Sequence, residues 1–238
     1  MERRLAEVRE LGREEGEKMK FFLDSAKVDE IRYARDMWNI DGVTSNPRHV
    51  RNSGKPFLTA VRDIAREFEG SGKPISVEVN PHHPSAEPMV EEAAKLASLS
   101  PNFVIKLPAT EAGFRALWTL SERGIRVNLT LVFSAVQALQ AARLGATFVS
   151  PFVGWKEANG EEISHLVQEI VTIYRNYRFK TEVLVAAVRN ARQIVEAAVA
   201  GAGIVTAGFD VFKEAFDNPY TAMGLKRFSD SWDATAYE

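Results

Sequence analysis

The sequence predicts an α/β protein with a single domain, a (β/α)8 TIM barrel, and three observations support this prediction. From residue 21 onward, short apolar segments alternate eight times with longer amphipathic segments. Several of the short segments are apolar throughout, which is typical of strands covered on both faces. No low-complexity linker divides the 238 residues. Eight strand–helix repeats in one uninterrupted chain are characteristic of a closed parallel barrel.

Eight apolar segments are the predicted strands. They cover residues 21–25, 42–46, 75–80, 103–108, 125–132, 148–153, 182–188 and 204–209. A doubly wound open sheet is the alternative, but such a sheet usually has a glycine-rich phosphate loop after its first strand. The first predicted strand instead runs into DSAK (24–27), which contains no glycine, so the sequence favours the barrel.

The segments between the strands carry signals for the beginnings and ends of helices. Ser134 and Gln137 have the spacing of a capping box, and Asn190 and Gln193 repeat it. Glycines stand where three helices should end, at Gly124, Gly145 and Gly201. Apolar residues recur at helical spacing between positions 162 and 177, which predicts a helix with one face on the barrel.

The two ends of the chain are predicted to add helices to the barrel, which is assigned to residues 19–238. Residues 1–18 are highly charged and should form a short helical extension without the apolar stretch of a signal peptide. The tail, 217–238, contains Tyr220, Leu225, Phe228 and Trp232 and predicts a C-terminal helix. Its apolar side chains need a cover, and a neighbouring subunit of a homo-oligomer is one candidate.

Composition excludes several classes of function. The formal net charge is −2, so the chain lacks the basic character of proteins that bind nucleic acid. It has no cysteine, which excludes disulfides, thiolate metal sites and a cysteine nucleophile. The four histidines, at 49, 82, 83 and 165, do not form a metal set. No segment has the length and apolarity of a membrane span. We expect a soluble, cytoplasmic protein without bound metal.

Polar residues that are awkward in a core collect at the carboxyl ends of the predicted strands, where barrel enzymes have their active sites. In strand order they are Asp24, Asn46, Glu78, Lys106, Asn128, Thr130 and Ser150. Together they offer an amine nucleophile, carboxylates for proton transfer and donors for substrate hydroxyls. Schiff-base aldol chemistry needs this set of groups.

Lys106 is the strongest of these candidates. Three apolar residues precede it and Leu107 and Pro108 follow, so its side chain should enter the barrel. Lysine is rarely buried without a partner or a function. Desolvation favours the neutral amine, which is the form that attacks a ketone carbonyl to give an imine. The alternative is a lysine whose side chain extends past the strand end into solvent.

The other polar residues have structural alternatives. Asp24 could be the N-cap of a helix that begins near residue 27, and Asn46, which precedes a proline, could be a turn residue. Asn128 and Thr130 could satisfy backbone groups. Glu78 is harder to explain in this way, because a carboxylate inside ISVEV (75–79) costs desolvation energy unless it is paired or functional.

Six ordered motifs resemble those of the transaldolase family, in particular of its short members, which include fructose-6-phosphate aldolase. The motifs are FFLDSA (21–26), DGVTSNP (41–47), SVEV (76–79), NFVIKLPAT (102–110), VNLTLVFS (127–134) and VSPFVG (149–154). The resemblance extends from residue 19 to about residue 232. It implies a (β/α)8 barrel that uses neither metal nor organic cofactor, and a ring of five subunits or a stacked pair of rings, a pentamer or decamer.

The resemblance also implies roles for individual residues. Lys106 would hold a dihydroxyacetone unit as an imine, and Asp24 would transfer the proton when the C–C bond breaks. Glu78 and Thr130 would position the catalytic water. The residues expected to bind substrate are Ser45, Asn46, Arg48, Asn128, Ser150, Phe152, Trp155 and Arg189, with Asn46 and Asn128 on the hydroxyls of the imine.

Two positions favour transfer over simple aldol cleavage. The aldolases of the family have glutamine at the position of Glu78 and tyrosine at the position of Phe152. This chain has glutamate and phenylalanine there and so resembles the transferases.

The phosphate site of the family is altered in this chain. It usually has arginine at the position of Trp155 and serine at that of Ala187, whereas Arg189 is retained. Arginine binds a phosphate dianion through two hydrogen bonds, which tryptophan cannot do. Arg48 and His49 also stand where the family has small or apolar residues. We therefore expect a donor with a terminal sulfonate, 6-deoxy-6-sulfofructose, whose dihydroxyacetone unit passes to an aldehyde such as glyceraldehyde-3-phosphate.

Three alternatives stay open at the level of sequence. The first is an ordinary transaldolase of the pentose phosphate pathway, acting on sedoheptulose-7-phosphate or fructose-6-phosphate, with Arg48 replacing the missing arginine. The second is a fructose-6-phosphate aldolase. The third is a sugar-binding barrel without catalysis, although such a protein has no physical reason to keep a buried lysine.

Overall fold

A computed structural model describes residues 18–161 and 164–237 of the chain. The strands in these ranges are β1 (Lys20–Asp24), β2 (Gly42–Thr44), β3 (Ile75–Glu78), β4 (Phe103–Pro108), β5 (Val127–Val132), β6 (Phe148–Pro151), β7 (Glu182–Val188) and β8 (Ile204–Ala207). All are parallel, they pair in sequence order, and β1 pairs with β8 to close the barrel. The predicted (β/α)8 barrel is confirmed, and the open-sheet alternative is excluded by this closure.

Helices follow the strands and cover the outside of the barrel. They are α1 (Val28–Trp38), α2 (Pro47–Asn52), α3 (Phe57–Glu67), α4 (Ala86–Ala97), α5 (Glu111–Glu122), α6 (Ala135–Arg143), α7 (Val153–Ala158), α8 (Ser164–Asn176), α9 (Ala191–Ala200), α10 (Phe209–Phe216) and α11 (Pro219–Asp233). Within the two described ranges, no helix is both long enough and apolar enough to span a membrane.

Local sequence signals explain where several helices begin and end. Ser134 and Gln137 form the complete capping box predicted for α6. At the start of α9, the side chain of Asn190 accepts a hydrogen bond from the backbone N–H of Gln193. The same helix ends at Gly201, whose φ of 85° lies in the left-handed region that glycine adopts without steric cost.

Several strands end earlier than predicted because the following residues belong to helix starts. Asn46 was expected to end the second strand, but it is the N-cap of α2. Phe152 precedes α7 in the same way and keeps a single bridge to Ala186. The predicted N-terminal extension, 1–18, lies outside the described residues except for its last position. Residues 162 and 163 of the predicted 162–177 helix also lie outside them.

The interior of the barrel has an apolar layer below a polar one. Phe22, Val104, Phe148, Leu184, Ala186 and Ile204 form an apolar cluster separate from the core between strands and helices. Because side chains alternate along a strand, the next inward positions on β1, β4 and β6 are Asp24, Lys106 and Ser150. The candidate residues therefore lie at the carboxyl ends of the strands, directly above this layer of packed apolar side chains.

Irregular pairing near the ends of β5 and β7 shapes the mouth of the barrel. The register shifts between Leu129 and Val132 on β5 and between Val185 and Val188 on β7. Each shift contains a non-glycine residue with a φ of 58°, Leu131 in β5 and Ala187 in β7. This conformation costs an L-residue on the order of 1–2 kcal/mol. The surrounding packing must maintain it, and the bulges redirect the chain where the active site begins.

The predicted C-terminal helix is confirmed as α11. It contains no buried residue. Its large side chains are strongly exposed, with Tyr220 at 76%, Phe228 at 73% and Trp232 at 64%. A helix of this kind gains little from packing within its own chain, and its large apolar side chains remain exposed.

Candidate active site

Lys106 lies on β4, in register with Glu78 on β3 and Asn128 on β5. Only 5% of the residue is exposed. Its Nζ donates a hydrogen bond of 3.1 Å to the backbone carbonyl of Ser45 and lies 3.5 Å from Oε2 of Glu78. The side chain is therefore inside the barrel, and the alternative of a lysine extending into solvent is wrong. One amine, one carboxylate and one carbonyl meet at this point.

Asp24, at the end of β1, is held from two sides. Its Oδ1 accepts a hydrogen bond of 2.7 Å from the hydroxyl of Thr44, and its Oδ2 lies 3.0 Å from Nε2 of His49. The hydroxyl of Thr44 is also 2.7 Å from that of Thr206 on β8. Helix α1 begins at Val28 without any side-chain cap, so the interpretation of Asp24 as an N-cap is wrong.

The surroundings of Asp24 favour its ionised form. Burial by itself would raise the pKa of this carboxyl. The hydrogen bond and charge of His49, the charge of Lys106 and the hydrogen bond of Thr44 outweigh burial and lower the pKa below its ordinary value. A carboxyl with a lowered pKa keeps its charge as the pH falls, so Asp24 is available as a proton acceptor throughout the neutral range.

Asn128 is the centre of a buried hydrogen-bond network across three strands. Its Nδ2 donates to the hydroxyl of Ser76 at 3.1 Å, and its Oδ1 accepts from the hydroxyl of Ser150 at 2.8 Å. All three residues are almost completely buried. Asn128 bonds to side chains and not to the backbone, contrary to the structural alternative. The network fixes the amide next to Lys106, with which Asn128 is in register.

Thr130 is the one described residue with a buried side-chain oxygen that lacks a hydrogen-bond partner within the protein. The residue is 1% exposed and lies in register with Pro108, two positions beyond Lys106 on β4. An unsatisfied buried hydroxyl costs about 1–3 kcal/mol. This geometry suits a group that bonds to a substrate or to water, and it contradicts the alternative in which Thr130 satisfies a backbone group.

Ser45 and Asn46 connect β2 to α2. The hydroxyl of Ser45 donates to the carbonyl of Ser76 at 3.0 Å, while its own carbonyl accepts from Lys106. The Oδ1 of Asn46 accepts from the backbone N–H of His49 at 3.0 Å, which makes Asn46 a helix cap as well as a site candidate. Its amide nitrogen is the part of the side chain that this contact leaves for a substrate.

An aromatic cluster stands after β5 and β6. The ring of Trp155 lies 5.5 Å from that of Phe152 and 6.0 Å from that of Phe133, and the rings of Phe133 and Phe152 are 5.9 Å apart. Trp155 is 49% exposed, so one side of the indole packs while the other remains accessible. Two of the predicted substrate-binding residues, Phe152 and Trp155, are thus in contact.

Arg189 follows β7 and contacts the beginning of α7. A Cβ at Gly154 would lie 2.2 Å from the carbonyl oxygen of Ala187 and 3.0 Å from Cγ of Arg189, so only glycine allows these segments to approach. The backbone N–H of Arg189 donates to the side chain of Gln193 at 2.7 Å, and Gln193 also bonds to Glu157 of α7. Gly154, which directly precedes Trp155, is therefore in contact with Arg189.

The structure places most of the candidate residues in four groups, one of which is the network of Asn128 and Ser150. Lys106, Glu78 and Ser45 form the first, and Asp24 with its partners lies beside it. Phe152 and Trp155 belong to the aromatic cluster. Arg189 lies next to this cluster, because its side chain packs against Gly154, the residue before Trp155. Arg48 is exposed on α2, with no hydrogen bond or ion pair to the other candidates in the described residues.

Four residues that sequence analysis did not select also contribute. Ser76, Thr44 and Thr206 lie on inward-facing positions of their strands and bond to candidate residues. The period-two alternation could have found Ser76, which precedes Glu78 by two residues. His49 was noted as unusual, but nothing in its sequence position indicated a contact with Asp24.

No group of three or more histidine, aspartate or glutamate side chains in the part of the chain that the structure describes could hold a metal ion. The groups that the candidate site offers are the buried amine of Lys106, the carboxylate of Glu78 at 3.5 Å, the carboxylate of Asp24, and hydroxyl and amide donors.

Comparison with known proteins gives consistent matches. Residues 21–237 match the family model for transaldolase/fructose-6-phosphate aldolase. Proteins from Priestia aryabhattai and Priestia megaterium, each named 6-deoxy-6-sulfo-D-fructose transaldolase, are 58% identical over 221 residues, which cover 92% of this chain and 98% of each relative. A solved structure, thiamine phosphate pyrophosphorylase from Pyrococcus furiosus, aligns with a TM-score of 0.57 and 13% identity over 84% of this chain and 94% of its own. That last likeness concerns the fold alone.

Proposed function

Because the chain belongs to the transaldolase and fructose-6-phosphate aldolase family of enzymes, we propose that it is a Schiff-base transaldolase whose donor is 6-deoxy-6-sulfofructose. The observation that carries the chemistry is the buried amine of Lys106, 3.5 Å from the carboxylate of Glu78. The relatives from Priestia support the choice of donor.

The first half-reaction begins when the neutral amine of Lys106 attacks C2 of the ketose and forms a carbinolamine. A proton relayed from solvent through a bound water converts the carbinolamine hydroxyl into a departing water, and the protonated imine remains. We assign the positioning of the relay water to Glu78 and to the unpartnered hydroxyl of Thr130. The imine then accepts the electron pair of the C3–C4 bond. For this bond to break, the C4 hydroxyl must lose its proton to a base, and the ionised Asp24 takes this role.

When the C3–C4 bond breaks, C4 becomes the carbonyl carbon of a three-carbon aldehyde that carries the sulfonate. The proton of the C4 hydroxyl moves to Asp24, and the bond electrons form an enamine on Lys106. In the second half-reaction the enamine carbon attacks the acceptor aldehyde, and Asp24 returns its proton to the new hydroxyl. Hydrolysis of the imine releases the new ketose and restores the amine.

Transfer in preference to simple cleavage is supported by Glu78 and Phe152. The ring of Phe152 packs against Phe133 and Trp155 and presents no hydroxyl. A tyrosine at this position would supply an additional proton donor next to the enamine. Without one, the enamine on Lys106 survives until an acceptor aldehyde arrives, and this favours transfer over protonation.

The sulfonate end is assigned to Trp155 and Arg189, with Arg48 as a further cation. A sulfonate has one negative charge and three equivalent acceptor oxygens, whereas a phosphate monoester carries up to two charges and benefits more from bidentate arginine contacts. The half-exposed indole of Trp155 can donate one N–H, and the contact through Gly154 brings Arg189 to the same side of the mouth. The site therefore suits a monoanion.

The donor assignment is tested by kinetics with two donors and one acceptor. Erythrose-4-phosphate is the suitable acceptor, because fructose-6-phosphate with glyceraldehyde-3-phosphate regenerates itself. We expect kcat/KM for 6-deoxy-6-sulfofructose to exceed that for fructose-6-phosphate by at least about tenfold, the effect of one lost charge-assisted hydrogen bond. Equal turnover of the two donors would favour the pentose phosphate transaldolase instead. Release of free dihydroxyacetone at the rate of cleavage would identify an aldolase.

We further propose that the enzyme is a homo-oligomer, a pentamer or decamer, in which α11 packs against a neighbouring subunit. The exposed side chains of Phe228 and Trp232 support this assignment. Replacing both by aspartate should lower the molar mass measured by light scattering, while Val136→Asp, on the equally exposed face of α6, should leave it unchanged. A monomeric wild-type protein would contradict the proposal.

The cytoplasm is the proposed compartment, because the acceptor is a sugar phosphate and such doubly charged molecules do not cross membranes unaided. Fractionation of cells that produce the protein would test this assignment, and activity found outside the cytoplasmic fraction would contradict it.

A further inference from the structure

His49 lies on the first turn of α2, and its ring contacts the side chain of Asp24. The distance from Nε2 to Oδ2 is 3.0 Å. Both side chains are largely enclosed, with 26% of His49 and 22% of Asp24 exposed. The backbone N–H of His49 is held by Asn46, and Pro47 begins the helix. The ring is therefore carried by a capped helix start, which restricts its position.

Asp24 receives one contact on each carboxylate oxygen. Thr44, from β2, donates to Oδ1, and His49 approaches Oδ2 from the other side. Two fixed contacts on opposite oxygens leave the carboxylate little freedom to rotate. A proton acceptor must be aligned with the hydroxyl it deprotonates, and small errors in that alignment slow the reaction.

We propose that His49 is a positioning residue for Asp24, holding its carboxylate in the orientation that accepts the C4 hydroxyl proton during C3–C4 cleavage. The inference rests on the transaldolase activity proposed above. His49 touches Asp24 and neither gains nor loses a proton in the step: the proton moves from the C4 oxygen to Asp24, and the C3–C4 electron pair moves into the enamine on Lys106.

The charged and polar groups that face Asp24 determine the sign of the expected pH effect. They are Lys106 from β4, Thr44 from β2 and His49 from α2, with Thr206 of β8 behind Thr44 and Glu78 of β3 beside Lys106. Burial raises the pKa of Asp24, and the first three groups lower it. Removing His49 takes away the largest of the lowering contributions, so the pKa of Asp24 rises. The variant should lose activity at a higher pH than the wild type as the medium becomes more acidic.

Two substitutions separate the hydrogen bond of His49 from its charge. His49→Ala removes both, and kcat for sulfofructose cleavage should fall about tenfold, the effect of losing a hydrogen bond to a charged group. His49→Gln places an amide N–H near the position of Nε2 but carries no charge. It should recover most of kcat at neutral pH, and the acidic limb of its pH profile should stay shifted upward. The exposed His82 provides the control, since His82→Ala should match the wild type in both respects.

Borohydride trapping distinguishes failure of this inference from failure of the proposed function. Imine formation depends on Lys106, so both His49 variants should still form the trapped adduct with the donor. No adduct in the wild-type protein would overturn the transaldolase assignment itself. A normal adduct in the wild type, together with kcat and a pH profile that His49→Ala leaves unchanged, would overturn the role of His49 alone. If His49→Ala raised KM but left kcat unchanged, the positioning role would also be overturned, because His49 would then contribute to substrate binding and not to the cleavage step.

Discussion

A Lys106→Met variant is expected to lose covalent capture of the donor completely and to lose kcat/KM by about 10⁴-fold or more. Methionine fills nearly the same volume as lysine but has no amine, so the carbinolamine cannot form. Lys106 is 5% exposed and contacts the carbonyl of Ser45 and the carboxylate of Glu78. The measurement is borohydride reduction in the presence of donor, followed by mass spectrometry of the peptide that contains residue 106.

Two controls accompany this experiment. Lys106→Arg keeps a positive charge near Glu78 but cannot form an imine, so it should be as inactive as the methionine variant even if it is better folded. Lys180 is exposed and has no ion pair in the described residues. The Lys180→Met variant should therefore form the trapped adduct and convert the donor as the wild type does. Undiminished labelling of the Lys106→Met protein would refute the assignment of the nucleophile. Absence of labelling in the wild type would favour the non-catalytic sugar-binding barrel.

The second large effect is expected at the sulfonate end of the pocket. The double substitution Trp155→Arg with Ala187→Ser should change the ratio of kcat/KM for sulfofructose and fructose-6-phosphate by about 100-fold in favour of the phosphate. One charge-assisted bidentate contact and one hydroxyl contribute together on the order of 3 kcal/mol, and each 1.4 kcal/mol corresponds to a factor of ten. The measurement is the kinetic comparison with erythrose-4-phosphate as acceptor.

The structure indicates that both substitutions can be accommodated. Trp155 is 49% exposed, so an arginine there can extend into solvent or toward the substrate. Ala187 already holds a Cβ at a φ of 58°, and serine adds one oxygen without a change of backbone. Phe152 and Phe133 lose a ring contact when Trp155 is removed, and that loss must be measured separately.

Single substitutions separate packing from hydrogen bonding. Trp155→Phe keeps an aromatic ring against Phe152 and removes the indole N–H, so it should weaken sulfofructose binding and leave fructose-6-phosphate unaffected. Trp118 is exposed to a similar extent, 46%, on the outer helix α5, and Trp118→Phe should leave kcat/KM for both donors unchanged. If the double variant kept the wild-type ratio of the two donors, Trp155 and Ala187 would not determine the anion that the enzyme accepts.

Sequence periodicity was sufficient to predict the barrel. Continuous apolar segments alternate with amphipathic ones, and a chain with this alternation has few ways to cover both faces of its strands. Boundaries were less well predicted. Asn46 and Phe152 were placed inside strands, because strand and helix-cap preferences overlap for residues at a strand end, and capping of α2 and the start of α7 prevailed.

The candidate nucleophile could also be predicted from the sequence, because the desolvation cost of a charged side chain in an apolar strand is a local property. This reasoning identified Lys106 and Glu78, which the structure brings within 3.5 Å of each other. It could not choose between alternatives for Asp24 and Thr130. That choice depended on where α1 begins and on whether a hydroxyl has a partner.

By itself, then, the sequence determined the order of the strands and the inward direction of Lys106. Only the tertiary structure decided that His49 contacts Asp24, that Asn128 bonds to Ser76 and Ser150, and that Gly154 joins the segments of Trp155 and Arg189. The physical reason is the same in each case. Alternation along one strand is encoded in neighbouring residues, whereas contacts across the mouth of a barrel depend on register, bulges and side-chain direction in segments far apart in the chain.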